Sequence, residues 1–496
     1  MEGEAAAREV KAAFLAVTKK PVRAIIYTHN HADHVFGGHV MAGDDQPAVY
    51  SHASTAEHLR RVTSVLRPAI SRRSMRQFGV FLPEEERLHC GIGPALRFDP
   101  EEAPRLLWPT HTFEDQLRLE VAGLRLELFH APGETPDQIG IWLPERKVLL
   151  PADNIYQSFP NLYAIRGTGY RDVLAWVETL DKLRSFGAEV LVPSHTRPLH
   201  GAALIERTLR RYRDAIQYVH DQTVQGINRG WSPDELAARI KLPPALAAEP
   251  WLQEHYGRVD WSARAIYQGY LGWFDEDAAH LHSPPPQERA AAYERLAGGR
   301  EALLEAARAA LGRAEWAWGL ELVGHVLAQE RDHAEANALR SRALRAQAEV
   351  EVSANGRNYL LTQAREAEGA LQIPAPDPSQ VARHMIGEMP VEMVMRALPP
   401  LLDAARSLDV DQRLSLRVDD CNQSFTLHVR GGVAALSSGW DEGAELKVVT
   451  RAALWKELLV GLRSPAAVVM GGDFRLEGGH VALARFLLLF RGGASG

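Results

Sequence analysis

The feature that most constrains this 496-residue chain is the heptapeptide Thr28-His29-Asn30-His31-Ala32-Asp33-His34. It follows directly on the run Val22–Tyr27, which reads as a buried strand. Three imidazoles and a carboxylate crowd into six residues, and a loop leaving a strand end can wrap them around metal. Mixed nitrogen and oxygen donors suit zinc. His29 and His31 could serve one ion while Asp33 and His34 serve a neighbour. The plainer alternative, a histidine-rich surface turn, does not explain this spacing behind an apolar strand.

Three further segments repeat the arrangement. A strand ending at Phe129 leads into His130-Ala131-Pro132-Gly133-Glu134-Thr135, one ending at Leu150 into Pro151-Ala152-Asp153, and one ending at Val192 into Pro193-Ser194-His195. Each sets a ligand-type residue just past the carboxyl end of an apolar strand, where α/β folds gather their active sites.

A chain of this length is too large for one core and suggests about three units. With 46% hydrophobic and 24% charged residues, global disorder is excluded. The only cysteines, Cys90 and Cys421, exclude a disulfide scaffold or a four-cysteine zinc module. A formal net charge of −7 argues against nucleic acid as the main partner. No uncharged apolar stretch reaches the roughly 20 residues of a transmembrane segment. Met1 to Lys20 is Ala-rich and helix-like, without the apolar core of a secretory signal. As written, the chain reads as cytoplasmic.

Short apolar runs alternate with helical stretches up to about residue 215, an α/β texture. Strand signals then almost vanish as far as Gly369. Ser232-Pro233-Asp234-Glu235 predicts a capped helix start. The run from Ala307 to Ala348 suggests two paired helices, with Trp316 and Trp318 in the first. Three prolines between Ile373 and Pro378 predict a stiff linker. Beyond it Leu414, Leu416 and Val418, then Phe425, Leu427 and Val429, alternate as strands, with a turn at Gly431-Gly432. Helical patterns flank them at Val391–Leu408 and Arg451–Leu462. The expected units are 1–215, 216–372 and 380–496, the last a small α+β domain.

The segments carrying His29, His31, Asp33, His34, Glu134, Asp153 and His195 resemble the metallo-β-lactamase superfamily, an αββα sandwich with a two-metal site. Most of that superfamily has a histidine where this chain has Glu134. With the helical and C-terminal units, this narrows the resemblance to the zinc-dependent alkylsulfatase group, which carries a helical dimerisation domain and a sterol-carrier-protein-like tail. Asn161-Leu162-Tyr163-Ala164-Ile165-Arg166-Gly167 and Tyr270-Leu271-Gly272-Trp273-Phe274-Asp275 are similar to that group's sequences as well.

The resemblance implies two Zn2+ per chain. His29, His31 and Glu134 would hold one, Asp33, His34 and His195 the other, with Asp153 bridging. Three carboxylates leave the two dications one formal positive charge, which a bridging hydroxide cancels. The extra carboxylate should weaken the Lewis acid, so an anionic substrate would need help from Arg166, whose guanidinium can take two sulfate oxygens. Asp33 and Arg166 carry over as catalytic, and Arg166, Asn161 and Tyr163 as substrate-binding. The implied reaction is hydrolysis of linear alkyl sulfate esters to alcohol and sulfate by a metal-bound water or hydroxide, with C–O cleavage favoured, in a homodimer. Hydrolysis of another ester, thioester or phosphodiester is the alternative. A non-catalytic lipid-binding dimer is the reading from a different class.

The chain departs from this pattern in three places. Superfamily domains begin with several strands ahead of the first helix; here Met1–Lys20 reads as that helix. The expectation is an open sheet edge and an exposed apolar face, and a secreted or periplasmic location stays open. Phe78-Gly79-Val80 stands where the group has a polar Tyr-Gly-Asn stretch, and Trp261 where some members have histidine. Outside the motif, His280-Leu281-His282 has ligand-like spacing beside a run of prolines and reads as a helix end. His111, His130 and His200 could orient ligands or could serve in the core or the solvated surface. The stripe Ile386, Met389, Met393, Met395, Leu398, Leu401 and Leu402 reads as core, or by resemblance as a hydrophobic tunnel.

Overall fold

The computed structural model describes residues 3–60, 66–96, 105–374, 389–469 and 474–490. The linker prolines 376 and 378 and Ile386 lie outside them. Strands β1 (Ala24–Ile26), β2 (Ala48–His52) and β3 (His111–Phe113) form a parallel three-stranded sheet in that order. Strands β4 (Gln116–Val121), β5 (Leu124–His130), β6 (Ile139–Leu143), β7 (Val148–Ala152), β8 (Val190–Pro193) and β9 (Leu199–His200) form a six-stranded sheet, again in order. All its pairs are antiparallel except β7 with β8. Strands β5, β7 and β8 therefore run the same way, and their carboxyl ends meet at one rim.

Successive strand residues face opposite ways, which sorts the apolar side chains into three layers of core. Ile26, Tyr50, Phe113, Leu128, Ile141 and Leu150 fill the space between the sheets. Ile25 and Val49 pack with Val35 and Leu59 of short helices outside the small sheet. Phe129, Trp142, Leu149 and Leu191 pack against Trp176, Leu180 and Leu183 of the helix Val173–Ser185. The result is the expected helix–sheet–sheet–helix sandwich.

At the front, the helix within Met1–Lys20 spans Glu4–Val17. Among the described residues β1 has a ladder partner on one side only, and Phe14, Leu15 and Val17 are exposed.

The helix Ala202–Ile227 runs unbroken past residue 215. Its buried Leu209, Tyr212, Ile216 and Val219 share one core with the sandwich and with Leu236, Ala263 and Ile266 of the helical region. In that region the helix Pro233–Arg239 starts on the anticipated capping box between Ser232 and Glu235. The run Ala307–Ala348, expected as two helices, holds the end of a third, Arg300–Gly312, before Trp316–Gln329 and Ala334–Val350; the break falls at Ala314, whose φ is 61°. The last helix, Ala354–Ala367, lies on Arg67–Gln77 of the first unit. Arg76 there donates twice to Glu366, at 2.9 and 2.8 Å.

The C-terminal unit holds a five-stranded sheet of β10 (Asp411–Val418), β11 (Gln423–Arg430), β12 (Val433–Ser438), β13 (Leu446–Thr450) and β14 (Phe474–Glu477), ordered β12-β11-β10-β13-β14. Gly431 and Gly432 make the β11–β12 turn with positive φ of 52° and 81°. The flanking helix is shorter than the apolar pattern over 391–408 predicts. It covers Val391–Ala397, because Pro399 and Pro400 cannot continue the backbone ladder, and 3-10 turns follow. Met395 and Leu398 lie in this unit's core, where Trp455 Nε1 donates to Met395 Sδ at 3.2 Å. Met389 and Met393 pack instead with Trp108 of the first unit. Among the described residues no helix is long and apolar enough to cross a membrane.

Candidate metal centre

Four strand ends deliver the candidate ligands to one rim: β1 leads to His29–His34, β5 to Glu134, β7 to Asp153 and β8 to His195. Local backbone chemistry supports each loop. A Cβ on Gly133 would lie 2.0 Å from Asn154 Oδ1, so only glycine fits before Glu134. Ala152 holds φ at 52°, a left-handed conformation costing a non-glycine residue about 1–2 kcal/mol, immediately before Asp153. Thr28 carbonyl accepts from Ile139 N at 2.8 Å, and Asn30 Nδ2 donates to Asp137, fixing the histidine loop to the large sheet.

The side chains gather into two groups, His29, His31, Glu134 and Asp153 in one and Asp33, His34 and His195 in the other. In the first, His31 Nδ1 lies 2.9 Å from His29 Nε2 and 3.2 Å from Glu134 Oε2. His29 Nε2 lies 3.7 Å from Glu134 Oε2 and 3.8 Å from Asp153 Oδ2. That same Asp153 oxygen is 3.3 Å from His34 Nε2 and 3.2 Å from His195 Nε2. Asp33 Oδ2 completes the second group, 3.3 Å from His34 Nε2 and 3.2 Å from His195 Nε2, and the two Nε2 atoms are 3.3 Å apart. Tetrahedral bonds of 2.0–2.1 Å to zinc place donor atoms about 3.3 Å apart. These donor types suit metal; the 3.2–3.3 Å spacings of the second group match that edge, whereas those of the first range from 2.9 to 3.8 Å. Asp153 Oδ1 is buried without a hydrogen-bond partner.

Charge divides the two groups. Burial and the neighbouring histidines push His29 down to about 3, and burial with Arg166 and Arg171 holds His31 well below its usual range, so both rings are neutral. Burial would lower His34 and His195 too, but Asp153 and Asp33 outweigh it and raise them to about 10 and about 11. Burial would raise the two carboxylates, yet the histidines hold both well below the usual range. Burial pushes Glu134 up, against the pull of Arg171.

Arg166 reaches the first group, with Nη2 3.1 Å from His31 Nε2, and its backbone N donates to Gln77 Oε1 at 2.8 Å. Arg73 holds the same loop by donating to Ile165 O at 2.7 Å. Asn161 is buried, and neither atom of its side-chain amide has a partner. Its backbone N donates to Tyr156 Oη at 2.7 Å, and its carbonyl accepts from Arg171. Tyr163 is half-buried.

The whole assembly matches known proteins over nearly its full length. The metallo-beta-lactamase superfamily model matches residues 2–195 and the alkyl sulfatase dimerisation model residues 232–369. A linear primary-alkylsulfatase from Pseudomonas sp. is 36% identical over 97% of this chain and 94% of its own length. The chain belongs to the alkylsulfatase group of the metallo-beta-lactamase superfamily. A second member of this group, an (R)-specific secondary-alkylsulfatase from Pseudomonas sp., is 29% identical over 94% of this chain and 72% of its own. The solved structure of the stereoselective inverting sec-alkylsulfatase Pisa1 from Pseudomonas sp. superposes with a TM-score of 0.91 at 26% identity, over 99% of this chain and 79% of that one.

Three residues that contact the site of this alkylsulfatase-group chain had not been singled out from the sequence. Thr28 Oγ1 lies 3.1 Å from Nδ1 of both His29 and His34, so one hydroxyl orients a ring in each group. Gln77 seats the Arg166 loop, and Arg171 contacts Glu134 at 3.0 Å. Thr28 opens the histidine motif and could have been found there; Gln77 and Arg171 stand in no pattern. Three of the other candidate histidines are engaged elsewhere. His130 donates to Pro136 O at 2.7 Å and stacks on His52, His111 meets Thr110 and Tyr50, and His280 pairs with Asp275. His200 is exposed on β9, and Trp261 packs beneath Arg258.

Proposed function

We propose that this chain hydrolyses linear alkyl sulfate esters, releasing the alcohol and inorganic sulfate, with two zinc ions per chain. The carrying observation is that Asp153 Oδ2 lies between two clusters of donors, 3.8 Å from His29 Nε2 in one and 3.3 and 3.2 Å from His34 and His195 Nε2 in the other. His29, His31 and Glu134 would hold one ion, Asp33, His34 and His195 the other, and Asp153 both. When bound, the ions act as Lewis acids and lower the pKa of a coordinated water.

The chain's own residues do the rest. Arg166 binds the sulfate through two N–H groups of its planar fork. A His31 ring that uses Nδ1 as a ligand carries its proton on Nε2, so Arg166 then faces a donor and turns to the anion. Asp33, with a side chain 34% exposed, is the most open carboxylate of the site and orients the attacking water. Asn161, whose buried side-chain amide has no partner, and Tyr163 contact the substrate from the same loop.

The same reading divides the chain into a catalytic unit at 1–215, a helical dimerisation unit at 216–372 and a sterol-carrier-like unit at 380–496, the first two joined through Ala202–Ile227. A homodimer through the helical unit is supported by its match to the dimerisation model and by exposed Tyr270, Leu271, Trp273 and Leu296.

Asp153→Ala tests the assignment because it removes the shared donor. A bound metal contributes several kcal/mol to the transition state, so turnover should fall by about a thousandfold or more, with loss of bound metal. A variant that kept both metal and activity would show that the ligands are wrongly assigned.

A further inference from the structure

Glu134 replaces a neutral imidazole with a carboxylate inside a closed pocket, and the structure shows where its charge goes. The Arg171 side chain is 2% exposed and the Glu134 side chain 3% exposed. Arg171 Nη1 donates to Glu134 Oε1 at 3.0 Å and to the carbonyl of Asn161, while Arg171 Nε is buried without a partner. Buried charges persist only when compensated. A simple ion pair tying two loops together would satisfy that requirement alone, but the two carboxylate oxygens are divided. Oε1 faces Arg171, and Oε2 faces His31 Nδ1 at 3.2 Å and His29 Nε2 at 3.7 Å. A hydrogen bond from the guanidinium turns Oε1 away from the cluster and draws off its charge, which leaves Oε2 the better placed oxygen for a metal.

We propose that Arg171 is a positioning residue for the first metal: it confines Glu134 to one-oxygen ligation and cancels its charge. Glu134 and Arg171 together then present one donor and no net charge, as a histidine would. The first group keeps four donors, His29 Nε2, His31 Nδ1, Glu134 Oε2 and Asp153 Oδ2. This also revises the expectation that the extra carboxylate weakens the Lewis acid, because its charge is shared with a neighbouring cation. The inference rests on the proposed metal assignment.

The test is the full-length protein with cobalt(II) in place of zinc, read by its visible absorption, whose intensity falls as the coordination number rises. Metal affinity by chelator competition and the kcat–KM split are read alongside. In Arg171→Gln the freed Oε1 should join the metal, so the bands weaken, affinity changes by about 10- to 100-fold and kcat falls with KM little changed. Arg171→Lys keeps the charge and should keep the parent spectrum. The double variant Glu134→His with Arg171→Gln needs no counter-charge and should regain both spectrum and turnover relative to Arg171→Gln. The proposal is overturned if Arg171→Gln matches the parent in spectrum and affinity. It is equally overturned if Arg171→Lys loses the spectrum, or if the double variant is no better than the single. A parent that binds no metal would instead contradict the metal assignment itself.

Discussion

On one side of Asp153 the ligands are more nearly sealed, with His29 at 0%, Glu134 at 3% and His31 at 14% exposure; on the other, His34, His195 and Asp33 are 9%, 23% and 34% exposed. The sealed group has neutral histidines and a carboxylate backed by a buried arginine. The open group has histidines held as cations between two carboxylates. Both offer the same donor types, and they differ in what an incoming ion must displace. Filling the sealed group means ordering neutral, mostly buried donors. Filling the open group means expelling protons through a face that water and substrate also reach. The first arrangement favours retention of an ion and the second exchange and chemistry.

The largest difference should appear on deleting one histidine from each side. In His29→Ala no water can replace the lost nitrogen, so the variant should hold one ion fewer per chain and regain no activity with added metal. In His195→Ala solvent can fill the position. Its second ion should bind about 10- to 100-fold more weakly, and excess zinc should restore occupancy and part of the turnover. Metal titrations followed by activity would read this, and equal rescue of both variants would remove the distinction.

Proton release gives a finer test. At pH 8 His34 and His195, raised to about 10 and about 11, are protonated in the metal-free protein, whereas His29, lowered to about 3, and His31 are not. Metal requires neutral imidazole. Loading should therefore release about two protons from the protein, both from the open group, besides any that a coordinated water gives up. The sign follows: affinity of the open group rises with pH until about pH 11, less steeply above about pH 10 where His34 has already lost its proton, and that of the sealed group stays nearly flat over the same range. Calorimetry in buffers of different ionisation enthalpy measures the count, and release of no protons at pH 8 would contradict this division.

How much of this was legible in the sequence follows the same line. Each candidate ligand sits within a few residues of an apolar strand's end, a signal carried by adjacent residues. The helix start at Ser232 and the strands of the C-terminal sheet were local signals too. Arg171 was not legible, because it meets Glu134 across 37 residues of chain and lies in no motif. Gln77 reaches Arg166 across 89. The overlong helix expected beyond Val391 came from weighing apolar spacing above Pro399 and Pro400, although their missing N–H groups decide where that helix stops.

The central claim is tested most directly by one paired measurement on the purified chain: zinc per chain, and inorganic sulfate released from a medium-chain alkyl sulfate with and without chelator. The account predicts two zinc ions and sulfate release that stops when they are removed. Two ions with no sulfate released would contradict the substrate, and sulfate release unaffected by complete metal removal would contradict the centre itself.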